Sequence, residues 1–232
     1  METRIFGRAT HLMMAIALGS MGANAFASLP INFATGQDSS GNIQLSGNSL
    51  DANWKESNAV DPKNAPNSYV VTPSNADWAT DLGAGGWFAN GPNSSWIAPN
   101  PDNAYGNGNY TLTYTFNLDG YDLTTATFHN LMWAIDDNGI VQLNGHTEAS
   151  LVSDIPSPVD WGSFHAFSIP VSDLVQTVNT LTITSTGSDN FLEAARLEGT
   201  LSISPIPEPE TYAMLLAGLG LMGFIARRRK SA

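Results

Sequence analysis

Cysteine is absent from this chain of 232 residues. Its absence excludes disulfide bonds, a thiol nucleophile and every metal site built on thiolate ligands. Secreted domains depend on disulfides when they are too small to bury a large core. A single domain over residues 28–204 buries roughly 70% of its unfolded surface, so it needs no such links. The lack of cysteine therefore leaves secretion open.

Basic residues are also scarce. Residues 28–204 contain only Lys55, Lys63 and Arg196 against 18 acidic residues, which gives a net charge of −15. A surface of this sign repels nucleic acid and anionic lipid, so neither is expected as a partner. It is compatible with neutral sugars or divalent cations, although solubility outside the cell explains most of these carboxylates equally well.

Catalytic motifs are missing as well. The chain has no Gly-x-Ser-x-Gly turn, no His-Glu-x-x-His helix and no phosphate-binding glycine loop. Three histidines of the body, His129, His146 and His165, are widely separated in sequence. We therefore predict that the protein is not an enzyme and assign no catalytic residue.

The N-terminus has the pattern of a secretory signal peptide. Arg4 and Arg8 precede the apolar stretch 12–18, and Ala25-Phe26-Ala27 is a small-residue cleavage site. We predict a signal peptide over residues 1–27, cut between Ala27 and Ser28. The expected partners are signal peptidase and the general secretion machinery.

The C-terminus, residues 205–232, has three parts in a fixed order. A Pro/Glu spacer is followed by the uncharged stretch 212–226 and then by the basic residues 227–230. As a helix, the uncharged stretch is about 22 Å long, which is shorter than the roughly 30 Å hydrocarbon core of a bilayer. It predicts a transmembrane helix that is a weak permanent anchor, with its basic end in the cytoplasm. An ordinary membrane anchor after a Pro-rich linker is the alternative.

This order of parts resembles the PEP-CTERM sorting signal. Pro207-Glu208-Pro209 is the motif for which that family is named, and the apolar helix and Arg227, Arg228 and Arg229 follow at the expected places. The resemblance implies transient insertion in the inner membrane and recognition by an exosortase, a membrane cysteine protease. It also implies processing near the motif and export to the cell surface or extracellular matrix of a Gram-negative bacterium that makes exopolysaccharide.

The body predicts an all-β fold. Residues 110–118 alternate apolar and polar side chains, which is typical of a strand with one buried face. Further strands are predicted at 43–45, 69–72, 126–135, 140–143, 164–169, 181–185 and 191–203, with a hairpin turn at Asn144-Gly145 and one helical turn from Ser172. Short strands without a long helix indicate an antiparallel two-sheet β-sandwich over residues 28–204.

Residues 85–145 are similar to the galactose-binding-like jelly-roll sandwiches. The resemblance rests on Trp87-Phe88-Ala89-Asn90, Trp96-Ile97, the strand 110–118 and the two segments 132–139 and 141–145. It implies a jelly roll whose ligand is carbohydrate, and polysaccharide is the expected partner.

Aromatic and amide residues in Gly/Asn-rich loops are the candidate sugar-binding site. A flat indole ring offers a rigid platform for the C–H face of a sugar, and amides hydrogen-bond its hydroxyls. The candidates are Trp87, Asn93, Trp96, Tyr105 and Trp161. The alternative is that these aromatic rings close the ends of the sandwich.

Adjacent Asp136 and Asp137 precede Asn138-Gly139 in a predicted turn. Carboxylates and carbonyls gathered in such a turn are oxygen ligands of the kind that Ca²⁺ prefers. The alternative is an Asx-type turn held by side-chain to backbone hydrogen bonds. The sequence is therefore compatible with either a calcium site or an Asx-type turn at these residues.

These features together predict an exported, exosortase-processed protein of the cell surface or the biofilm matrix. Its body is expected to be a non-catalytic carbohydrate-binding module associated with exopolysaccharide. The alternative is a purely structural matrix protein without a discrete ligand site.

Overall fold

The computed structural model of the protein describes residues 28–59, 64–72, 87–101, 109–136, 138–152, 161–186, 193–207 and 209–230. The predicted signal peptide over 1–27, including Ala25 and Ala27, lies outside the described residues. Ser28, the predicted first residue after cleavage, is the first one described and is exposed.

The described body consists of antiparallel β-strands, as predicted. Alternation explains them: Tyr110, Leu112 and Phe116 are buried, whereas the threonines between them face outward. The strands are β1 (Leu29–Asn32), β2 (Leu50–Ser57), β3 (Asn67–Val70), β4 (Ile97–Ala98), β5 (Asn109–Asn117), β6 (Tyr121–Ile135), β7 (Gly139–Leu143), β8 (His146–Leu151), β9 (His165–Ala166), β10 (Val178–Thr186) and β11 (Ala195–Pro205).

The strands follow one hydrogen-bonded path that folds over itself. Its order is β8-β7-β10-β5-β2-β3-β4-β11-β6-β9, and β1 pairs with β11. The apolar faces of β5, β7 and β10 share one core with those of β6 and β11. Phe33, which follows β1, is fully buried, with its ring 5.3 Å from Phe116 of β5 and 6.2 Å from Phe128 of β6. The predicted antiparallel β-sandwich is therefore confirmed.

Four strands of the described residues were missed by sequence reasoning: β1, β2, β4 and β8. In β2 the buried positions include Asp51 and Glu56 as well as Trp54, so polar residues conceal the strand pattern. Burial raises the pKa of Asp51, although the carboxylate accepts hydrogen bonds from backbone N–H groups of Gly36, Asn53 and Trp54.

Two local predictions need correction. The segment 43–45 is not a strand, since Ile43 forms only an isolated bridge with Gln37. The predicted helical turn is a 3₁₀ turn at Val171–Asp173 that starts after Pro170, and Ser172 lies inside it instead of capping it. The hairpin at Asn144-Gly145 is confirmed, because both residues have the positive φ angles, 52° and 87°, of a type I′ turn.

Helix α1 (Pro209–Lys230) follows the sandwich and contains the uncharged stretch 212–226. Its large apolar side chains are exposed, among them Leu216 and Phe224. No helix within the described ranges is both long and apolar enough to cross a membrane. The predicted transmembrane helix is therefore not found.

Candidate functional site

A polar cleft of about 550 Å³ opens on the sheet that contains β1, β6 and β11; we call it the outer cleft. Residues 41–43 and the loop at Pro92 and Asn93 form its rim. Its polar side chains are Asn32, Asn42, Asn93, His129, Asn130, Glu198 and Thr200. Among the predicted site residues that the structure describes, only Asn93 lines this cleft.

A β-bulge shapes the outer cleft. Glu198 pairs with Met132 and Thr200 with His129, so Gly199 alone faces two residues of β6. Asn130, one of those two, has a φ of 52°. A Cβ on Gly199 would lie 2.5 Å from Leu131 Cδ2, so only glycine allows this close approach. The bulge interrupts the two longest strands at the point where the cleft opens.

The cleft walls combine exposed amides with one fixed carboxylate. Asn93, His129 and Asn130 are exposed, whereas Glu198 is 8% exposed. Glu198 Oε1 accepts a hydrogen bond of 2.8 Å from Ser94 Oγ and lies 3.6 Å from Arg196 Nη2. This arrangement offers donors and acceptors at little net charge, which suits a ligand rich in hydroxyl groups.

Arg196 of β11 holds the loop at Asn93 against its own strand. Its Nε donates to Ser94 Oγ at 2.6 Å and its Nη1 to the carbonyl oxygen of Ala89 at 2.7 Å. Its guanidinium lies between two rings, 4.7 Å from the centroid of Phe88 and 4.9 Å from that of Phe164. Burial lowers the pKa of Arg196 to about 10 against the opposing effect of Glu198, so it stays charged at neutral pH.

The three tryptophans predicted as sugar platforms meet in one buried cluster. Trp87, Trp96 and Trp161 are 5%, 0% and 7% exposed. Trp87 and Trp96 stack with centroids 4.7 Å apart, and the Trp87 Nε1 donates to Asp136 Oδ2 at 2.8 Å. All three side chains are buried, which is also what the alternative packing role requires. Sugar binding by them stays a prediction.

The remaining predicted residues are only partly described. Tyr105 and Asp137 lie outside the described residues. Asp136 is 3% exposed and its backbone N–H donates to the carbonyl oxygen of Ala194. Across the described ranges, no group of three or more His, Asp or Glu side chains is arranged to hold a metal ion. The calcium site at Asp136 and Asp137 therefore stays a prediction.

Residues that sequence reasoning missed are His129, Asn130, Arg196 and Glu198. Two sequence features pointed to them. Asn130 and Gly199 interrupt long strands, which is typical of a bulge. Arg196 is the one basic residue in an otherwise apolar strand start. Neither feature indicates which loop closes over the bulge.

Comparison with known proteins identifies the C-terminal segment. Residues 205–230 match the PEP-CTERM protein-sorting motif. The sorting signal predicted from Pro207, Glu208 and Pro209 is thereby confirmed, and it indicates an exported protein that is sorted through an exosortase. The PEP-CTERM match begins after the body and does not include residues 28–204.

The structure of the body was also compared with known proteins. No curated protein matches the chain. One solved structure, a PA14 sugar-binding domain from an RTX adhesin, is similar at 12% identity over 77% of this chain and 91% of that domain, with a TM-score of 0.26. A similarity of this size carries no argument about the ligand.

The structure describes part of the PEP-CTERM segment. Glu208 lies outside the described residues, and Pro209 takes the first position of α1, where a missing N–H costs nothing. Arg227, Arg228 and Arg229 belong to the last turns of the helix, and the cations of Arg227 and Arg228 there interact favourably with the helix dipole.

Proposed function

We propose that the body is a non-catalytic module that binds neutral polysaccharide in the outer cleft, at the cell surface or in the exopolysaccharide matrix of a Gram-negative bacterium. The observation that carries the proposal is the cleft itself, where Asn93, His129 and Asn130 are exposed beside the fixed carboxylate of Glu198. The net charge of −15 over residues 28–204 disfavours anionic polymers. Sorting through an exosortase brings the protein to where such polymers lie.

Affinity electrophoresis tests this proposal directly. The full chain is run through gels that contain a neutral glucan, galactan or mannan, with and without Ca²⁺. The double variant Asn93→Ala/His129→Ala should weaken binding about thirtyfold, since two lost hydrogen bonds at about 1 kcal/mol each cost about 2 kcal/mol. His146→Ala, which removes an exposed histidine of β8 outside the cleft, is the matched control. Equal retardation of both variants and the native chain would refute the outer cleft as the site.

The same gels test the prediction of a calcium site at Asp136 and Asp137, because retardation is compared with and without Ca²⁺. A calcium site that contributes to binding requires that retardation fall when the ion is chelated. Unchanged retardation would remove calcium from the proposal.

Incubation with the same polysaccharides should release no new reducing ends, because the proposed module does not cleave its ligand.

A structural matrix protein without a ligand site is the second candidate. The burial of Trp87, Trp96 and Trp161 favours it, because the most plausible aromatic platforms are used for packing. Deletion of the protein should then weaken biofilm cohesion, and the variant Asn93→Ala/His129→Ala should restore cohesion as fully as the native chain. Failure of that variant to restore cohesion would favour the polysaccharide-binding module.

A further inference from the structure

A second depression of about 440 Å³ lies beside the outer cleft, between strand β1 and the sheet that contains β2 and β5; we call it the edge groove. It differs from the outer cleft in having aromatic walls, formed by Tyr114 and Phe116 of β5. Its lining also includes the polar side chains of Gln37, Asp38 and Asn53. None of these five residues lines the outer cleft.

Gln37 is the informative residue of the edge groove. Its side chain is 4% exposed, and its Oε1 accepts a hydrogen bond of 3.0 Å from Asn53 Nδ2. No described group accepts a hydrogen bond from its Nε2. A buried amide donor without an acceptor is costly, and this one borders an open groove. Since Gln37 lines the groove, a rotation of its side chain toward the opening would let a ligand oxygen accept a hydrogen bond from Nε2.

Tyr114 supplies the apolar wall. Its ring is half-buried and is fixed by neighbours on two sides, 5.6 Å from the centroid of Phe33 and 5.5 Å from that of Trp54. A fixed aromatic ring beside amide donors is the combination that binds the C–H face and the hydroxyls of one sugar ring. Because the predicted tryptophan platforms are buried, Tyr114 is a candidate for the aromatic platform.

The two depressions are adjacent and share Asn32 and Gly41. The turn at 38–42 forms the ridge between them, and it is held in place by hydrogen bonds from the backbone N–H groups of Ser40 and Asn42 to Asp38 Oδ1. A chain that follows this surface therefore crosses a preformed ridge from the polar cleft into the aromatic groove.

We propose that the outer cleft and the edge groove are two subsites for one neutral polysaccharide chain, which crosses the turn at Gly41 and places a sugar unit against Tyr114 and the Gln37 amide. This inference rests on polysaccharide binding by the outer cleft. It adds that the ligand is an extended oligosaccharide, because a mono- or disaccharide that fills one subsite cannot reach the other.

Titration calorimetry with matched short and long ligands tests this. The full chain is titrated with a disaccharide and a hexasaccharide of the neutral glucan, galactan or mannan that retards it in gels. The native chain should bind the hexasaccharide at least tenfold more tightly. Ser39→Trp, which fills the edge groove from an exposed turn position, should remove that advantage and leave disaccharide affinity unchanged. Ser40→Trp, one residue on and lining neither depression, should behave like the native chain.

The variant Gln37→Met is a second test of the edge groove, since it keeps the shape of the side chain and removes the amide. It should lower hexasaccharide affinity and leave disaccharide affinity as it is. If both Ser39→Trp and Gln37→Met bind the hexasaccharide like the native chain, the edge groove is not a subsite, while binding in the outer cleft stands. If the native chain binds neither ligand, both the proposed function and this inference fail.

Discussion

At the scale of single residues, Arg196 is the side chain on which the loop at residues 88–94 depends. It compensates the buried charge of Glu198, donates to Ala89 and Ser94, and fills the space between Phe88 and Phe164. Its partners in the loop are about one hundred residues away in sequence. Arg196 does not line the outer cleft, so its cation holds the loop beside the cleft in place from outside it.

Arg196→Met should lower the free energy of unfolding by about 3–5 kcal/mol, because it leaves Glu198 as an uncompensated buried charge. Chemical denaturation monitored by tryptophan fluorescence measures this loss. Lys55→Met, which removes the partly buried cation of β2, is the control and should change stability by about 0.5 kcal/mol or less. A loss for Arg196→Met no larger than that of the control would show that the buried pair contributes little.

Glu148 gives the body a pH-dependent element. Burial raises the pKa of Glu148 to about 7, helped by the negative charge of Asp173 and a hydrogen bond with it, and opposed by His146. Between its ordinary value near 4.5 and about 7, the folded state then binds more protons than the unfolded chain. This contribution to stability is complete below pH 4.5 and is lost as the pH rises through 7.

Glu148→Gln, which stays neutral, should therefore remove this decline. Denaturation midpoints of the native chain and the variant are compared at several pH values between 4 and 8. The native chain should lose stability relative to Glu148→Gln as the pH rises. Asp173→Asn, which removes the neighbouring charge, should move the decline to lower pH. Parallel curves for the native chain and Glu148→Gln would contradict the raised pKa.

At the scale of elements, the bulge between β6 and β11 decides whether the outer cleft exists. A regular pairing through Gly199 would continue the sheet across the cleft floor. Instead the extra residue of β6 bends the strand pair. The bulge therefore interrupts the regular hydrogen bonding between β6 and β11 and gives a concave polar surface.

Gly199→Ala should destabilise the protein by about 2 kcal/mol, because the new Cβ would meet Leu131 Cδ2 at 2.5 Å and Leu131 Cα at 3.3 Å, and the φ of 152° suits glycine. Thermal or chemical denaturation measures the loss. Gly162→Ala, with nothing within 4 Å of its Cβ, should be nearly neutral. Equal effects of the two substitutions would mean that the strands can accommodate a side chain at the bulge.

At the scale of the whole molecule, the described residues form an acidic sandwich that is followed by the helix of the sorting segment. The sandwich buries its apolar residues in one core, with the tryptophan cluster beside it. The helix of the sorting segment leaves its apolar residues exposed. Such exposure is characteristic of a segment that contacts another protein or a membrane, and not of an element that packs in a core.

The exported protein should lack residues 212–232, because processing is expected near Pro207-Glu208-Pro209. Intact mass spectrometry of the surface-associated or secreted form measures the end of the chain. The triple variant Pro207→Ala/Glu208→Gln/Pro209→Ala should keep the tail, whereas Pro205→Ala, just before the motif, should be processed normally. A mature native chain that ends at Ala232 would contradict this prediction.

The sequence alone determined the features that depend on local order and composition. The sorting segment is contiguous, so its motif, apolar stretch and arginines are recognisable without a fold, and the matching of 205–230 confirms them. The alternation in β5 and the turn at Asn144-Gly145 are equally local. Missing cysteine and missing catalytic motifs needed no structure either.

Only the tertiary structure decided which side chains meet. Loop composition made Trp87 and Trp96 candidates for an exposed platform, but their burial depends on distant partners such as Asp136. The outer cleft likewise needs Asn93, Asn130 and Glu198 from three separate segments. Periodicity tells which face of a strand is buried, but not which loop covers it, since long-range packing sets that choice.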